Sequence, residues 1–251
     1  MKKGLFSSNI SIYKLIIKKY ISNEITLVFK NITTPKYIKK YQNDIEKLGF
    51  NIAKVYFSFE INNTLFLVQK LIKGDTVEEV LKSKKYNISF KREIIKKILN
   101  KIILLKENEI IIDWNLKNFI LYKDKIFYVD FTPVLYRKNI MLINSQRLKP
   151  YTNMLLNTEI QFCSFLGYVC NYLIDLPKKT LKNVFEELIL IAKDNDIIIK
   201  KINKNSNLME RKISLIFEYL NTSMSRKELK RELSKYSMKH LIYDSIGDNN
   251  V

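Results

Sequence analysis

The residues of this chain best suited to chemistry are Asp113, Asn118 and Asp130. Between the last two lie two short runs of aromatic and branched residues, separated by a charged loop centred on Asp124. This pattern predicts a β-hairpin with a three-residue loop, which places Asn118 and Asp130 opposite each other, roughly 5 Å apart. An amide oxygen and a carboxylate at that distance predict a divalent-cation site. Asp113, on the loop before the first strand, would face a substrate hydroxyl beside the cation and act as the base.

The spacing Asp-x4-Asn-x11-Asp-Phe, formed by these three residues with Phe131, resembles the catalytic loop and metal-binding segment of the protein-kinase-like superfamily. The resemblance implies that Asp113 orients or deprotonates the acceptor hydroxyl. It also implies that Asn118 and Asp130 hold Mg²⁺ against the phosphates of ATP. Further segments, from about residue 5 to residue 135, resemble elements of this superfamily in the order in which the superfamily has them.

Two segments resemble parts of the small lobe that bind the nucleotide. The strand-like run that ends in Lys30 resembles the third strand, whose lysine binds the α- and β-phosphates. Residues 35–48 carry apolar side chains at spacings of three and four, which predicts the small-lobe helix. The acid that pairs with Lys30 is Asp44, Glu46 or neither, and Asp44 is favoured because it flanks the apolar face.

Two further segments resemble the nucleotide pocket itself. Residues 64–81 resemble the fifth strand, the hinge and the first helix of the large lobe. By this resemblance Val68 takes the gatekeeper position, and the backbone from Gln69 to Leu71 would bind adenine. Residues 7–15, which begin with Ser7 and Ser8, resemble the phosphate-covering loop and second strand of the aminoglycoside-phosphotransferase-like branch, where serine and backbone amides replace a glycine-rich loop. That branch fits the chain better than the eukaryotic protein kinases do.

The chain departs from the superfamily pattern around the catalytic motifs. The histidine that usually lies two residues before the catalytic Asp is replaced by Ile111, and the glycine of Asp-Phe-Gly by Thr132, with Pro133 next. These departures keep a second hypothesis open beside an ATP-dependent phosphotransferase. The alternative is a catalytically inactive pseudokinase that serves as a nucleotide-binding regulatory or scaffold module.

The resemblance implies an α+β chain with the two-lobed protein-kinase-like fold. A small antiparallel-sheet N-lobe with one helix, at about 1–70, would be joined by a hinge at about 69–72 to a mostly helical C-lobe, at about 73–251. Together these form a single domain over 1–251. Apolar periodicity predicts helices in the C-lobe over 90–106, 155–176, 180–193, 207–220 and 225–241. Residues 133–157 are expected to be irregular and to face the substrate.

The basic composition bears on the partners of the chain. The net charge is +19, yet only six of the 44 basic residues are arginine, the side chain that recognises phosphates and bases through paired hydrogen bonds. The lysines are spread along the chain, which disfavours a nucleic acid and favours anionic partners in general. Residues 133–251 hold 19 basic and 12 acidic groups, which disfavours a polycationic aminoglycoside as acceptor. Sugars, amino alcohols, anionic metabolites and peptide hydroxyls stay open.

The remaining signals concern location and thiol chemistry. Cys163 and Cys170 are two helical turns apart in an apolar stretch and are expected to be buried thiols, and His240, the single histidine, to lie at the surface. Polar residues follow Met1 and interrupt the longest apolar stretch, 160–176, which predicts neither a signal peptide nor a membrane span. We therefore expect a cytoplasmic protein that binds ATP, Mg²⁺ and a hydroxyl-bearing small molecule or peptide.

Overall fold

Strands and helices of this chain form an α+β fold in the computed structural model, which describes residues 2–3, 7–20, 34–62, 64–130, 135–141, 149–197 and 208–234. The chain groups into two compact units. One, called the sheet unit, comprises Met1–Val77, Leu104–Asp113 and Lys117–Ile143. The other, called the helical unit, comprises Glu78–Ile103, Trp114–Leu116 and Asn144–Val251.

The described residues of the sheet unit form two sheets. Their strands are β1 (Lys2–Lys3), β2 (Ser7–Ile12), β3 (Leu15–Tyr20), β4 (Asn51–Ile52), β5 (Val55–Ile61), β6 (Thr64–Lys70), β7 (Asp75–Thr76), β8 (Phe119–Tyr122) and β9 (Lys125–Tyr128). The five-stranded sheet is antiparallel, in the order β1-β2-β3-β6-β5. The four-stranded sheet has the order β4-β9-β8-β7, with β4 parallel to β9. Through this pairing the hairpin of β8 and β9 groups with the N-terminal part of the chain, whereas the predicted lobes assigned it to the C-lobe.

The first helix among the described residues, α1 (Pro35–Lys47), confirms the helix predicted over residues 35–48. It begins after Thr34, whose side-chain oxygen accepts a hydrogen bond from the backbone N–H of Tyr37, and a proline occupies its first position. Its buried side chains recur at helical spacing: Ile38, Tyr41, Gln42 and Ile45. The periodicity in the sequence therefore located both the helix and its buried face.

Most of the remaining helices belong to the helical unit. The described helices after α1 are α2 (Val77–Lys82), α3 (Ile88–Glu107), α4 (Arg137–Met141), α5 (Lys149–Leu156), α6 (Thr158–Leu173), α7 (Lys178–Lys193), α8 (Leu208–Asn221) and α9 (Arg226–Ser234). α4 and the end of α3 group with the sheet unit. The helices predicted in this half of the chain are confirmed to within a few residues, although α9 is described only to Ser234, and His240 lies outside the described residues.

The core of the helical unit is built around α6. Cys163 and Cys170 are fully buried in it, as predicted, and burial raises the pKa of the Cys170 thiol to about 12. The ring of Trp114 packs edge-on against that of Phe165, with centroids 6.0 Å apart. None of the helices within the described ranges is long and apolar enough to cross a membrane.

The segment predicted to be irregular contains two of these helices. The described residues between 133 and 157 include α4 and α5, of five and eight residues. Helices this short bury too few side chains to produce a clear 3.6-residue periodicity. The expectation of a long irregular loop is therefore wrong for these residues.

Candidate functional site

The hairpin predicted to carry the cation site turns through two residues, Lys123 and Asp124, whose φ angles are +48° and +60°. Two consecutive positive φ values at the tip are typical of a type I′ turn, whose twist matches that of a two-stranded hairpin. Accordingly, Tyr122 pairs directly with Lys125. The predicted three-residue loop is wrong, and the true register differs from the predicted one by one residue.

The shifted register changes which residues meet at the open end of the hairpin. The backbone N–H of Val129 donates to the carbonyl of Asn118 over 3.0 Å, so these two residues lie opposite each other. Asp130 is one residue further along, beyond the last paired residue of β9. The predicted direct opposition of Asn118 and Asp130 is therefore wrong. Contacts outside the hairpin hold Asp130 instead.

The contact that holds Asp130 comes from a lysine that the sequence analysis did not single out. Lys18 lies in β3 and is only 6% exposed. Its Nζ donates to the carbonyl of Val129 over 2.8 Å and lies 3.4 Å from Oδ1 of Asp130. A buried ammonium group requires such acceptors, because burying it without them costs a large free energy. Lys18 therefore places a positive charge beside the carboxylate of the Asp-Phe motif.

Lys18 lies in β3, which is one of the two strands that pair with β6. β6 has β3 on one side and β5 on the other, and Lys18 pairs with Leu67. Lys30 itself lies outside the described residues, so its role stays a prediction. The available signal was an apolar run, Leu15-Ile-Ile, followed by lysine. Because Lys18 and Lys19 are adjacent, the sequence did not show which of them faces inward.

Asp113 and Asn118 are joined by a side-chain hydrogen bond. Nδ2 of Asn118 donates to Oδ2 of Asp113 over 3.0 Å. Asn118 ends a single turn of 3₁₀ helix, Leu116–Asn118, which brings the two side chains within reach despite the five-residue separation. Because the amide nitrogen is engaged, the amide oxygen of Asn118 is the atom left to bind a cation. The predicted proximity of Asp113 and Asn118 is confirmed.

Gln69 provides a second buried polar group beside Val129. Its Nε2 donates to the Val129 carbonyl over 3.2 Å. Its Oε1 is buried and has no hydrogen-bond donor within the part of the chain that the structure describes. A buried acceptor without a donor is costly, so this oxygen is suited to a donor group of a ligand or to a water molecule.

The predicted hinge segment lies at the end of β6. The backbone N–H of Leu71 donates to the carbonyl of Lys14 over 2.8 Å, so this amide is engaged within the chain, and the predicted binding of adenine by the backbone from Gln69 to Leu71 stays a prediction. Lys18 pairs with Leu67, and strand alternation then places Gln69 on the face of Lys18 and Val68 on the opposite face. Gln69, and not Val68, therefore shares the face of the sheet that carries Lys18, and the predicted gatekeeper role of Val68 stays a prediction.

Asp44 belongs to a different cluster from Lys18. Its Oδ2 accepts hydrogen bonds from Nζ of Lys40, over 2.6 Å, and from the hydroxyl of Tyr136, over 2.7 Å. Partial burial opposes ionisation, but the hydrogen bonds from Lys40 and Tyr136 outweigh it and hold the pKa of Asp44 below its usual range. This cluster lines a separate cavity of about 330 Å³. The predicted pairing of Asp44 with Lys30 involves a residue outside the described ranges.

The predicted phosphate-covering loop is a strand where the structure describes it. Ser7 and Ser8 lie in β2 and pair with residues of β3, Ser7 with Tyr20 and Ser8 with Lys19. Of these two serines the structure describes the backbone, and their predicted contact with phosphate stays a prediction. The prediction that they form a loop is wrong, because both belong to an antiparallel ladder.

Comparison with known proteins gives no relatives: no protein-family model matches the chain, and a search of curated proteins gives no match. The function has to be argued from the geometry of the site. No group of three or more His, Cys, Asp or Glu side chains among the described residues could hold a metal ion. A cation beside Asp130 and Asn118 would therefore depend on ligand oxygens as well, which is how Mg²⁺ is held with nucleotide phosphates.

Two buried tyrosines support the segment that carries Asp113. The hydroxyl of Tyr41, on α1, donates to the carbonyl of Ile111, and the N–H of Ile111 donates to the carbonyl of Leu135 over 2.8 Å. The hydroxyl of Tyr128 is hydrogen-bonded to the backbone of Asp113. Burial raises the pKa of both Tyr41 and Tyr128, so both hydroxyls stay protonated. Ile111 thus has a structural role at the position where the superfamily has histidine.

We expect Tyr41→Phe to lower the free energy of unfolding by about 1 to 3 kcal/mol, because it leaves the buried Ile111 carbonyl without its donor. Urea denaturation measures this difference. Tyr37→Phe on the same helix is the matched control, since Tyr37 is 41% exposed, and its effect should stay within about 0.5 kcal/mol. Equal effects of the two substitutions would show that the Tyr41 hydroxyl does not support this segment.

Proposed function

We propose that this chain is an ATP-dependent phosphotransferase with a two-lobed protein-kinase-like fold, which transfers the γ-phosphoryl group to a hydroxyl of a small molecule or peptide. The observation that carries the proposal is the presence of two side-chain pairs at the open end of the hairpin in the sheet unit. The ammonium of Lys18 lies 3.4 Å from Asp130, and the amide of Asn118 is hydrogen-bonded to Asp113. Phosphoryl transfer requires a phosphate-binding cation, hard oxygen ligands for a metal and an acceptor-orienting carboxylate.

The donor set at the open end of the hairpin fits a hard cation. The carboxylate of Asp130 and the amide oxygen of Asn118 are the oxygen ligands that Mg²⁺ prefers, and phosphates would complete its octahedral shell. Mg²⁺ bound there would neutralise charge on the transferred phosphoryl group. Lys18, with its stem buried and its ammonium beside Asp130, is positioned to bind phosphate oxygens of the nucleotide.

Asp113 is assigned to the acceptor rather than to the metal. Its Oδ2 accepts the hydrogen bond from Asn118, which orients the carboxylate, and this carboxylate would orient or deprotonate the hydroxyl of the acceptor. The backbone of the same residue is tied to the buried Tyr128 hydroxyl. A carboxylate that is held through both its side chain and its backbone loses little conformational entropy when an acceptor binds.

A regulatory or scaffold module that binds nucleotide without catalysis is the second candidate. The observation that favours it is Ile111, which engages Tyr41 and Leu135 through its backbone where an active member of the superfamily carries histidine. The hydrogen-bonded pair of Asp113 and Asn118 favours the enzyme. Both candidates require a nucleotide site, so nucleotide binding is tested first.

We expect ATP with Mg²⁺ to stabilise the protein by RT ln(1 + [L]/Kd), about 2.7 kcal/mol at a hundredfold excess over Kd. Thermal unfolding with and without the nucleotide measures this gain. ATP with EDTA is the control for the metal, because the phosphates alone would keep only the contact with Lys18. The absence of any shift at millimolar ATP and Mg²⁺ would rule out the nucleotide site and both candidates with it.

A further inference from the structure

One face of the five-stranded sheet carries apolar side chains where an antiparallel sheet normally presents polar ones to water. Cross-strand pairing places Ile10, Ile17, Val68 and Phe57 in a single row of this face. We call it the apolar face. Its exposed apolar members, with their exposed fractions, are Ile10 (50%), Ile12 (53%), Phe57 (56%), Phe59 (36%) and Ile61 (54%).

These side chains form one contiguous apolar surface and are not isolated exposed residues. Phe57, Phe59 and Ile61 alternate along β5 and therefore share the face. The ring of Phe59 stacks on Phe57, with centroids 6.0 Å apart, and on Phe66, at 5.3 Å. Single exposed apolar residues are normal on a protein surface, but a contiguous patch marks an interaction site.

The charges on the apolar face are of one sign. Lys19 pairs with Phe66 and Lys70 with Leu15, so both lysines belong to this face. None of the described residues that share the face is acidic, since Glu60 alternates to the other side of β5. A partner for this surface therefore combines an apolar interior with negative charge.

Two exposed tyrosines, each beside a lysine, mark one end of the face. Tyr13 is 81% exposed and Tyr56 is 49% exposed. The ammonium of Lys14 lies 5.2 Å from the centroid of the Tyr13 ring, and that of Lys54 lies 6.0 Å from the centroid of the Tyr56 ring. Both lysines accept backbone hydrogen bonds from the end of β6, which locates the two pairs there.

We propose that the apolar face docks on the surface of a lipid bilayer that contains anionic headgroups. The isoleucine and phenylalanine side chains would enter the boundary of the acyl chains, while tyrosines lie at headgroup level, where amphipathic rings are favoured. The lysines would be attracted to the anionic headgroups. This docking does not depend on the nucleotide site.

Charge decides between the bilayer and a second copy of the chain. If two copies of the chain paired through their apolar faces, Lys19 and Lys70 of one copy would approach the same two lysines of the other. The two copies would repel each other, because each chain has a net charge of +19. The cations of the face are lysines, and none of the six arginines lies in Met1–Val77. Lysine acts as a point charge suited to a diffuse anionic surface, whereas arginine is the side chain enriched in protein interfaces.

Co-sedimentation with vesicles tests the proposal. The full chain should bind vesicles of phosphatidylcholine with about 30% phosphatidylglycerol, and part of this binding should persist at about 0.5 M NaCl, where exposed charges are screened. The double variant Phe57→Gln with Ile61→Gln keeps the net charge of the chain. Its affinity for the vesicles should fall at least about tenfold, because binding scales with buried apolar area. Leu190→Gln, at a 59% exposed position of α7, is the matched control and should bind like the wild type.

A reporter variant covers the case in which the double variant does not fold. Trp114 is the single tryptophan and is 5% exposed, so the emission of Phe57→Trp would add a distinct exposed signal. We expect that emission to shift to the blue with the anionic vesicles. No shift, or binding of the double variant equal to that of the wild type, would overturn the proposal. The proposal would also be overturned if light scattering showed that the wild type is a dimer, that Phe57→Gln dissociates this dimer, and that the dimer does not bind vesicles.

Discussion

Replacing Lys18 by Met is expected to lower the affinity for ATP with Mg²⁺ about 10- to 100-fold, the effect of losing a hydrogen bond to a charged group. Lys18 presents its ammonium beside Asp130 from a strand, so its position is fixed by the sheet. Met retains an unbranched apolar stem for the buried space and removes the charge. Calorimetric titration of ATP into the folded variant measures the affinity.

Two other lysines make this experiment selective. Lys19→Met is the matched control, because Lys19 is the adjacent residue of β3 and points to the opposite face of the sheet. Its affinity for ATP should equal that of the wild type. Lys30→Met tests the lysine that the sequence resemblance favours. If Lys30→Met weakened binding while Lys18→Met did not, the assignment of Lys18 would be wrong.

The stability of the Lys18 variant should change little, which separates lost affinity from unfolding. Asp130 keeps 29% of its side chain exposed, so water can solvate its carboxylate once the ammonium is gone. The carbonyl of Val129 retains the hydrogen bond from Gln69. Removing one partner of a fully buried ion pair costs about 3 to 5 kcal/mol, but the exposure of Asp130 reduces this cost, and we expect a change of no more than about 1 to 2 kcal/mol.

Local signals in the sequence were sufficient for the longer helices and for one contact of the site, but not for the short helices α4 and α5. The apolar spacing of α1 reflects burial against a single face, so the helix and its buried side chains followed from the sequence. The bond between Asp113 and Asn118 also depends on a short stretch, which contains one 3₁₀ turn. Such features involve residues that are close in sequence, and the short segment between these residues allows few relative positions.

The register of the hairpin did not follow from the sequence, because loops of two and three residues fit the same pattern. The observed turn places Lys123 and Asp124 at positive φ, where most side chains are strained and where glycine or asparagine would have been the recognisable signal. Asp tolerates this region better than most residues, but Lys gives no indication of it. A shift of one residue was enough to separate Asn118 from Asp130.

Lys18 was missed because its role depends on pairing between distant strands. β3 pairs with β6, and the paired residues are 47 to 55 positions apart in the chain, from Lys19 with Phe66 to Leu15 with Lys70. In a chain with 44 basic residues, no local property of the sequence distinguishes a lysine that a sheet turns inward. Long-range pairing of this kind becomes visible only in the folded structure.

Asp113→Asn and Asp130→Asn are expected to have different effects, since one carboxylate is assigned to the acceptor and the other to the metal. Asp113→Asn keeps an oxygen that can accept from Asn118, so ATP affinity should be nearly unchanged while turnover falls about 100-fold or more, the scale of a general base. Asp130→Asn removes the charged oxygen ligand and should abolish Mg²⁺-dependent binding. Asp124→Asn, in the exposed turn, is the matched control and should leave both properties intact.

The measurements for these variants are ATP titration and transfer of labelled phosphate to a panel of sugars, amino alcohols and peptides. If Asp113→Asn lost ATP affinity as severely as Asp130→Asn, Asp113 would be a ligand of the metal site and not the acceptor-orienting carboxylate. If the wild type bound ATP but phosphorylated no member of the panel, and Asp113→Asn had no phenotype in the producing cell, the regulatory module would replace the enzyme as the preferred function. Binding without transfer would then be the expected behaviour, because Lys18, Asn118 and Asp130 are sufficient for a nucleotide site and catalysis adds the requirement for Asp113.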